Sequence, residues 1–282
     1  MEGTLFCGSH VLSLRYPLIM GIVNTTDDSF SGDGHGSDVQ RAIAHGRQLA
    51  AEGAHLLDLG GESSRPGAQP VSAAQEIARV VPVVEGLRGC GLPLSVDTMK
   101  PEVMRAAIAA GADMINDIHA LRSPGALEVV AASQAAVCLM HMQGDPRTMQ
   151  NEPHYGDVVV EVAEFLAERV ATAEEAGIPL QRIVVDPGFG FGKSFEHNLE
   201  LLQRLDELCM PGLPVLVGMS RKSLIGLMTG KPADQRLFGG IAAAMLALRR
   251  GASILRVHDV AAIRDAVAVW NAVEAGSTSN ES

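Results

Sequence analysis

A glycine-rich stretch, DPGFGFGKS at residues 186–194, ends in residue types that could hold a phosphate group. The phosphate-binding loop of nucleotide enzymes follows G-x-x-x-x-G-K-[ST], so residues 192–194 would require a glycine at position 187. That position is Pro187, and the alternating glycines also break the dinucleotide pattern G-x-G-x-x-G. The stretch is therefore not predicted to bind a nucleotide, and Asp186, which ends the apolar run IVVD, becomes its candidate for chemistry.

Polar or glycine-rich residues that could bind a ligand recur where short apolar runs end. They are Asn24, Gly60-Gly61-Glu62, Asp97, Asn116-Asp117, His141, Asp186, Ser220, and Arg256 with His258. Any one of them could simply start a turn or cap a helix, since Asp and Asn do both. Their recurrence at the same end of successive runs instead indicates one shared edge of a parallel sheet, which is where the active sites of α/β barrels lie.

The elements that would position these side chains alternate between strands and helices. Apolar runs bounded by Gly and Pro predict strands at 18–24, 55–60, 92–98, 113–118, 135–142, 182–188, 213–220 and 253–259. Helical periodicity predicts helices at 38–52, 72–87, 101–110, 124–133, 157–176, 196–208, 234–250 and 260–275. The alternation predicts an α/β fold, a closed (β/α)8 TIM barrel, with a doubly wound open sheet as the alternative.

A single barrel domain would occupy residues 1–275, close to the usual size of about 250 residues for this fold. Residues 1–17 are expected to form a short hairpin that closes the floor of the barrel. Long polar loops at 25–37 and 61–71 follow the first two strands, and loops of this kind commonly cover a site. Residues 276–282, GSTSNES, have the composition of a disordered tail.

The composition disfavours several classes of protein. A formal net charge of −11 at pH 7 argues against binding to nucleic acid or to an anionic membrane surface. No apolar run reaches the roughly 18 residues of a membrane span, and no signal-peptide pattern is present. The four cysteines are far apart and the nine histidines form no zinc-binding pair, so we expect a soluble, cytoplasmic protein with reduced thiols.

Taken in order, the polar ends and loops resemble the dihydropteroate synthase family over about residues 18–270. The motifs that carry the resemblance are MGIVNTTDDSFSGDG, DLGGESSRPGA, SVDTMKPEV, INDI, MHMQGDPRTMQ, DPGFGFGKSFEHN, GMSRKSLIG and LRVHD. The resemblance implies a homodimeric TIM-barrel transferase of folate biosynthesis and a sulfonamide target. Such an enzyme joins hydroxymethyl-dihydropterin diphosphate to 4-aminobenzoate, forms dihydropteroate and releases pyrophosphate.

Recognition of the pterin is implied for Asp97, Asn116, Asp186, Lys222 and Arg256. The pyrimidine edge of a pterin presents an amino group and a ring N–H side by side, which one carboxylate can accept together. In the family the aspartate of DPG does this, and here it is Asp186. Since an unmatched polar atom on a buried heterocycle costs about 1–3 kcal/mol, several further donors and acceptors are expected around the ring.

The diphosphate is implied to contact Asn24, Ser64, Arg65, Arg256 and His258. Arg256 and His258 are two residues apart within the predicted strand 253–259, so they would point to the same face and form an anion pocket with Arg65. An anionic substrate requires such a local positive site in a protein of net charge −11. Asn24 is implied to bind the Mg²⁺ ion of the diphosphate, since this ion keeps most of its waters and takes few protein ligands.

The aminobenzoate is implied to contact Phe30, Ser64, Pro66, Phe189, Lys222 and Ser223. Catalytic roles are implied for Asp33, Arg65, Asp97 and Lys222. In the implied reaction the carbon–oxygen bond at the pterin methylene breaks ahead of attack by the neutral arylamine, so a general base is not required. The two long loops would exclude water from the resulting cation.

Departures from the family pattern leave two alternatives open. The first loop has Gly32 followed by Asp33, where the family has an acidic residue followed by Gly, and Ser64 replaces the usual Thr. A catalytically silent pterin-binding relative would show a lost loop residue of this kind. A pterin-dependent methyltransferase would share the carboxylates, but it would not need SRKS, Arg65 or the pair Arg256 and His258.

Overall fold

The computed structural model describes residues 3–25, 34–62, 69–145, 148–149 and 152–278. Two antiparallel strands come first, β1 (Thr4–Cys7) and β2 (His10–Ser13). The parallel strands are β3 (Leu18–Asn24), β4 (Leu56–Gly60), β5 (Leu94–Asp97), β6 (Met114–Asp117), β7 (Ala136–Met140), β8 (Ile183–Asp186), β9 (Leu216–Val217) and β10 (Ile254–Val257). The helices of the described ranges are α1 (Gly34–Glu52), α2 (Ala73–Leu87), α3 (Pro101–Ala110), α4 (Ala126–Ala131), α5 (Val158–Glu175), α6 (Phe195–Gln203), α7 (Ser223–Thr229), α8 (Leu237–Arg249) and α9 (Val260–Thr278).

The parallel strands close into a barrel. They pair in the order β8-β7-β6-β5-β4-β3-β10-β9. The gap between the two ends is closed at Val185, which forms a bridge with Val215 and donates its N–H to the carbonyl oxygen of Pro214 at 3.1 Å. The predicted (β/α)8 barrel is therefore confirmed, and the open doubly wound sheet is wrong.

The amino-terminal hairpin closes the floor of the barrel, as predicted. Leu5, Cys7 and Leu14 are buried in a cluster with the first residues of several strands, including Leu18 and Ile254. This cluster fills the end of the barrel opposite the polar strand ends. Among the described residues, the hairpin fills the floor, so a ligand would enter the barrel interior from the mouth, where the strands end.

Alternation along the strands divides the core into two layers. On β3, Ile19 and Val23 pack outward against the helices, whereas Met20 points into the barrel floor. The same period of two on β7 sends Val137 outward and Cys138 inward. A fully buried aliphatic side chain contributes about 1.5–3 kcal/mol, so each strand is a rigid support for the side chains at its end.

The predicted helices differ from the structure mainly at their ends. Predicted helix 196–208 is divided into α6 and a separate 3-10 turn at Leu205–Leu208. The sequence prediction missed α7, because SLIGLMT is short and directly follows a strand-like run. The last helix extends to Thr278, beyond the predicted end at residue 275, and residues 279–282 lie outside the described ranges. Over the described residues, none of the helices combines the length and the hydropathy needed to cross a bilayer.

Candidate active site

The strand register aligns three of the predicted site residues along one edge of the barrel. Asn24 on β3 pairs with Gly60, Gly60 pairs with Asp97 on β5, and Asp97 pairs with Asn116 on β6. Parallel strands in register bring equivalent positions to the same height, so these side chains share the mouth of the barrel. Asn116 is buried and Asp97 is largely buried, as expected for groups that bind a ligand inside the barrel.

Asp58, in the middle of β4, connects the site residues on three other strands. Its fully buried carboxylate accepts from the Ser95 hydroxyl at 2.6 Å, from Asn116 Nδ2 at 3.1 Å and from Arg256 Nε at 2.6 Å. Asp58 was not predicted as a site residue, because it lies inside a strand and not at its end. A carboxylate inside the apolar run LLDLG was the available signal, since a charged group is rarely buried without a partner.

Arg256 lies between two carboxylates. It donates from Nε to Asp58 and from a terminal nitrogen to Asp97 Oδ2 at 2.9 Å. Burial of the guanidinium lowers its pKa, but Asp58 and Asp97 together outweigh this effect and raise the pKa above its ordinary value. The ion pairs use two of the five guanidinium N–H groups, so Arg256 can still donate to a ligand.

Asp97 is held in place by the same ion pair. Burial raises the pKa of Asp97 to about 7, and Arg256 opposes this increase. Burial thus disfavours the charged form of this carboxyl, and a ligand that donates hydrogen bonds to it would favour the ionised form.

Asp186 ends β8 and has one oxygen committed to the backbone. Its Oδ1 accepts from the N–H of Gly188 at 2.7 Å. Burial raises the pKa of this carboxyl, whereas the nearby ammonium of Lys222 lowers it. The side chain is buried at the mouth, and its orientation is fixed before any ligand binds.

Lys222 approaches Asp186 from the start of α7. Its Nζ donates to the carbonyl oxygen of Phe189 at 2.5 Å and lies 4.6 Å from the centre of the Phe191 ring. Burial lowers the pKa of Lys222 to about 8, with Asp186 acting in the opposite direction. The structure thus brings together Asp97, Asn116, Asp186, Lys222 and Arg256, the residues predicted to contact the pterin.

His258 lies at the mouth but not on a strand. Strand β10 ends at Val257, so the predicted strand 253–259 is too long and His258 follows the strand instead of lying on it. Instead, the N–H of His258 donates to the Ser220 hydroxyl at 3.3 Å, and its Nδ1 lies 3.0 Å from the same oxygen. The neighbouring Arg221 is paired with Asp259. Ser223, the first residue of α7, is exposed.

Phe189 is buried among the aliphatic core residues and is 1% exposed, so its contact with aminobenzoate stays a prediction. The remaining predicted site residues lie outside the described ranges. These are Phe30, Asp33, Ser64, Arg65 and Pro66.

The described ends of the second loop are connected by a buried charge cluster that the sequence analysis missed. Glu62 accepts from the Val71 N–H at 3.0 Å, and its other oxygen accepts from Lys100 Nζ at 2.7 Å. The same ammonium donates to the buried Glu76 at 2.5 Å. This cluster fixes residues 62 and 71 relative to the start of α3.

Comparison with known proteins identifies the family. The family model described as "Pterin binding enzyme" matches residues 20–258. The chain is 49% identical to dihydropteroate synthase of Haemophilus influenzae, over 95% of this chain and 98% of that protein. The structure of Xanthomonas albilineans dihydropteroate synthase with 4-aminobenzoic acid superposes with a TM-score of 0.91 at 54% identity, covering 98% of this chain and 99% of that one. Burkholderia cenocepacia dihydropteroate synthase complexed with 7,8-dihydropteroate gives a TM-score of 0.90 at 49% identity, covering 99% of both chains. This chain therefore belongs to the pterin-binding enzyme family and, within it, to the dihydropteroate synthases.

Proposed function

We propose that this chain condenses hydroxymethyl-dihydropterin diphosphate with 4-aminobenzoate, giving dihydropteroate and pyrophosphate. The observation that carries the proposal is the cluster of Asp97, Asn116, Asp186, Lys222 and Arg256 at the mouth of the barrel. Relatives that share about half of its residues bind 4-aminobenzoic acid and 7,8-dihydropteroate at sites built on the same fold. The substrate class thus follows from both the chemistry of the cluster and the family.

The cluster suits the edge of a pterin ring. Asp186 has one oxygen held by the backbone, so its other oxygen and remaining lone pairs can accept from the amino group and the adjacent ring N–H. The Asn116 amide adds a group that can both donate and accept hydrogen bonds, and the Asp97 carboxylate adds a second acceptor. Because Asp58 and Arg256 fix both of them beforehand, binding the pterin requires little reorganisation of the protein.

Lys222 serves both substrates in this proposal. Its ammonium lies near Asp186, where it can donate to the pterin carbonyl, and its charge attracts the aminobenzoate carboxylate. The Phe191 ring beneath Nζ supplies an apolar surface next to that charge, which suits an aromatic acid. Ser223 would donate to the same carboxylate.

The proposed reaction is a substitution in which the carbon–oxygen bond breaks early. As it breaks, positive charge develops on the pterin methylene and negative charge on the leaving diphosphate. Arg256 and His258, together with Arg65 of the second loop, would stabilise the leaving group, and Asp97 and Asp186 would stabilise the electron-poor pterin. The aniline nitrogen then attacks as a neutral nucleophile, held close to the methylene carbon by the protein.

We propose Mg²⁺ as the counter-ion of the diphosphate, bound by Asn24. The described residues contain no group of three or more His, Cys, Asp or Glu side chains that could form an all-protein metal site. A single amide oxygen at the end of β3 fits an ion that takes its other ligands from phosphate and water. The ion would neutralise charge on the leaving diphosphate.

We further propose that the protein is a cytoplasmic homodimer. All four cysteines are free, which is typical of a reducing compartment. Large apolar side chains are exposed on α7 and α8, and a second copy of the chain would cover them. They are Leu227, Met228, Phe238 and Leu246.

Phe238→Glu should shift the protein to monomers in sedimentation velocity. Phe238 is 82% exposed, and the substitution would place a charged carboxylate where its apolar ring would contact the second copy of the chain. Val160→Glu, at an exposed apolar position on α5, is the matched control and should leave the mass unchanged. A mutant at position 238 with unchanged mass would refute this interface.

Product analysis tests the proposed function against its alternatives. Purified protein is incubated with Mg²⁺, pterin diphosphate and 4-aminobenzoate, and dihydropteroate is measured by mass spectrometry. A parallel reaction with EDTA should lose most of the product, and one with a methylated pterin donor should transfer no methyl group. Pterin binding without product would instead indicate a silent relative, and methyl transfer would indicate a methyltransferase.

A further inference from the structure

Lys193, in the segment that mimics a phosphate-binding loop, is directed into the protein. Its side chain is buried, with 2% of the residue exposed. Its Nζ lies 3.0 Å from the carbonyl oxygens of Gly188 and Phe191 and 2.9 Å from Nδ1 of His141. A lysine ammonium has three donors, and these contacts use all of them, so none remains for a phosphate.

We infer that Lys193 is a positioning residue that holds the loop at residues 187–192 in the conformation that presents its backbone to Asp186 and Lys222. This inference rests on the proposed function. The loop supplies the N–H of Gly188 to Asp186 and the carbonyl of Phe189 to Lys222. Lys193 donates to the carbonyl of Gly188, before Phe189, and to that of Phe191, after it. One buried amine thus supports both loop contacts, the one with Asp186 and the one with Lys222.

The backbone of this loop needs such a support. Gly188, Gly190 and Gly192 all have positive φ, at 69°, 80° and 62°. Glycine loses more conformational freedom on folding than other residues, so three glycines within five residues make this loop costly to order. A buried carbonyl without a partner would cost about 1–3 kcal/mol more. Lys193 donates to the Phe191 carbonyl and adds a second donor to the Gly188 carbonyl, which also accepts from the Phe191 N–H at 3.0 Å.

Close packing against β7 leaves little space for adjustment. A Cβ added to Gly188 would lie 1.9 Å from the carbonyl oxygen of His141, and one added to Gly192 would lie 2.4 Å from that of Gln143. Lys193 reaches His141 from the same loop, so it also fixes the loop to the end of β7.

Two further side chains support the rest of the loop. Asn198 Oδ1 accepts from the N–H of Gly190 at 2.7 Å, and the Tyr155 hydroxyl donates to the carbonyl of Gly192 at 2.7 Å. Side chains from outside the loop therefore bind its backbone at several points, and Lys193 makes the contacts nearest to Asp186.

The Lys193 contacts tolerate either charge state of the amine. Burial lowers the pKa of Lys193 to about 7, with Asp186 opposing this effect, and burial lowers the pKa of His141 to about 2. The imidazole is therefore neutral, and it can accept from an ammonium or donate to a neutral amine according to its tautomer. Both forms of Lys193 keep two donors for the carbonyls, so the support does not depend on its charge.

Binding measurements with Lys193→Met test the inference, because methionine keeps the length of the side chain and removes the donors. The probe is hydroxymethylpterin, which lacks the diphosphate, and binding is followed by calorimetry. We expect its Kd to rise by about tenfold or more, which corresponds to about 1.4 kcal/mol or more. Lys231→Met, at an exposed lysine, is the control and should leave the Kd unchanged.

A double-mutant cycle separates positioning from a general loss of stability. Since Lys193 acts partly through Lys222, the penalty of Lys193→Met should be smaller in a Lys222→Met background than in the wild type, and the contact with Asp186 accounts for the part that remains. Full additivity would overturn the inference, as would an unchanged Kd for hydroxymethylpterin. A loss confined to pyrophosphate binding would show that Lys193 is a phosphate ligand after all.

Tyr155→Phe keeps the inference testable if Lys193→Met does not fold. This variant removes only the bond to Gly192, and we expect it to raise the Kd for hydroxymethylpterin by about threefold. No change in that Kd would refute the role of the loop. Since the probe is not turned over, these results remain informative even if the wild type fails to form dihydropteroate and the proposed function is wrong.

Discussion

Replacing Asp186 by Asn should weaken pterin binding far more than the small chemical change suggests. In the structure, Oδ1 of Asp186 accepts from the N–H of Gly188 at 2.7 Å. A backbone N–H can only donate, so the new amide must keep its oxygen on Gly188 and turn its NH₂ group towards the ligand. The amide then presents donors to the donors of the pterin edge.

The magnitude follows from two losses. Hydrogen bonds to a charged acceptor contribute about 1.5–3 kcal/mol, and a buried donor left without a partner costs about 1–3 kcal/mol. Together they predict a loss of about 3 kcal/mol, or a Kd about a hundredfold higher. Stability should change little, because burial already raises the pKa of Asp186 and so disfavours its charged form in the folded protein.

Calorimetric titration with hydroxymethylpterin measures this change directly. Asp157→Asn is the matched control, since Asp157 caps α5 and Asn caps helices equally well. The control should bind the pterin as the wild type does. If Asp186→Asn remained folded and its Kd stayed within about threefold of the wild-type value, Asp186 would not be the acceptor for the pterin edge.

Three further predictions concern other parts of the molecule. Asp58→Asn should lower the free energy of unfolding by about 3 kcal/mol in urea, because it removes the charge from a buried ion pair with Arg256; a loss below about 0.5 kcal/mol would contradict this. Burial lowers the pKa of Lys222 to about 8, so its ammonium is present below that pH and lost above it. We therefore expect kcat/KM for the pterin diphosphate to fall above pH about 8, and Lys222→Arg to lack this fall because a guanidinium stays charged; an identical decline in both proteins would exclude Lys222. Asp157→Ala should cost about 1 kcal/mol of stability through the lost helix cap, measured by urea unfolding, without changing KM for either substrate; a raised KM would show that α5 contributes to the site.

The barrel could be predicted because its strands are short, aliphatic and buried on both faces. Runs such as LIMGIVN have few alternative structures, and their bounds agree with β3 residue for residue. Strand β9 is harder to predict, because Pro214 has no N–H to donate to a neighbouring strand. The predicted strand 213–220 is reduced to Leu216–Val217. Helix α7 was missed because nothing in a seven-residue apolar segment separates it from the end of a strand.

The site was predictable where a polar group ends a strand and not where it lies inside one. Asp97, Asn116 and Asp186 stand at strand ends and meet at the mouth. Asp58 escaped prediction because its importance depends on Ser95, Asn116 and Arg256 converging on it from other strands. The local sequence shows a carboxylate inside an apolar run, but it does not show which neighbours barrel closure brings to that carboxylate.

The DPGFGFGKS stretch shows the same limit within nine residues. The spacing of its glycines argued against a nucleotide-binding loop. The apolar run that ends at Asp186 identified this residue as a candidate for ligand binding. The function of Lys193 depends on three positive-φ glycines that turn two carbonyls towards one amine, and no spacing rule encodes that geometry. The predicted contacts of Phe30, Asp33, Ser64, Arg65 and Pro66 stay predictions, since these residues lie outside the described ranges.

The stoichiometry of turnover tests the central claim most directly. Pyrophosphate and dihydropteroate are quantified in the same reaction, with and without 4-aminobenzoate. Our account predicts one dihydropteroate for each pyrophosphate, and almost no pyrophosphate when 4-aminobenzoate is omitted. Pyrophosphate released without 4-aminobenzoate, or bound pterin diphosphate that is never consumed when both substrates are present, would contradict it.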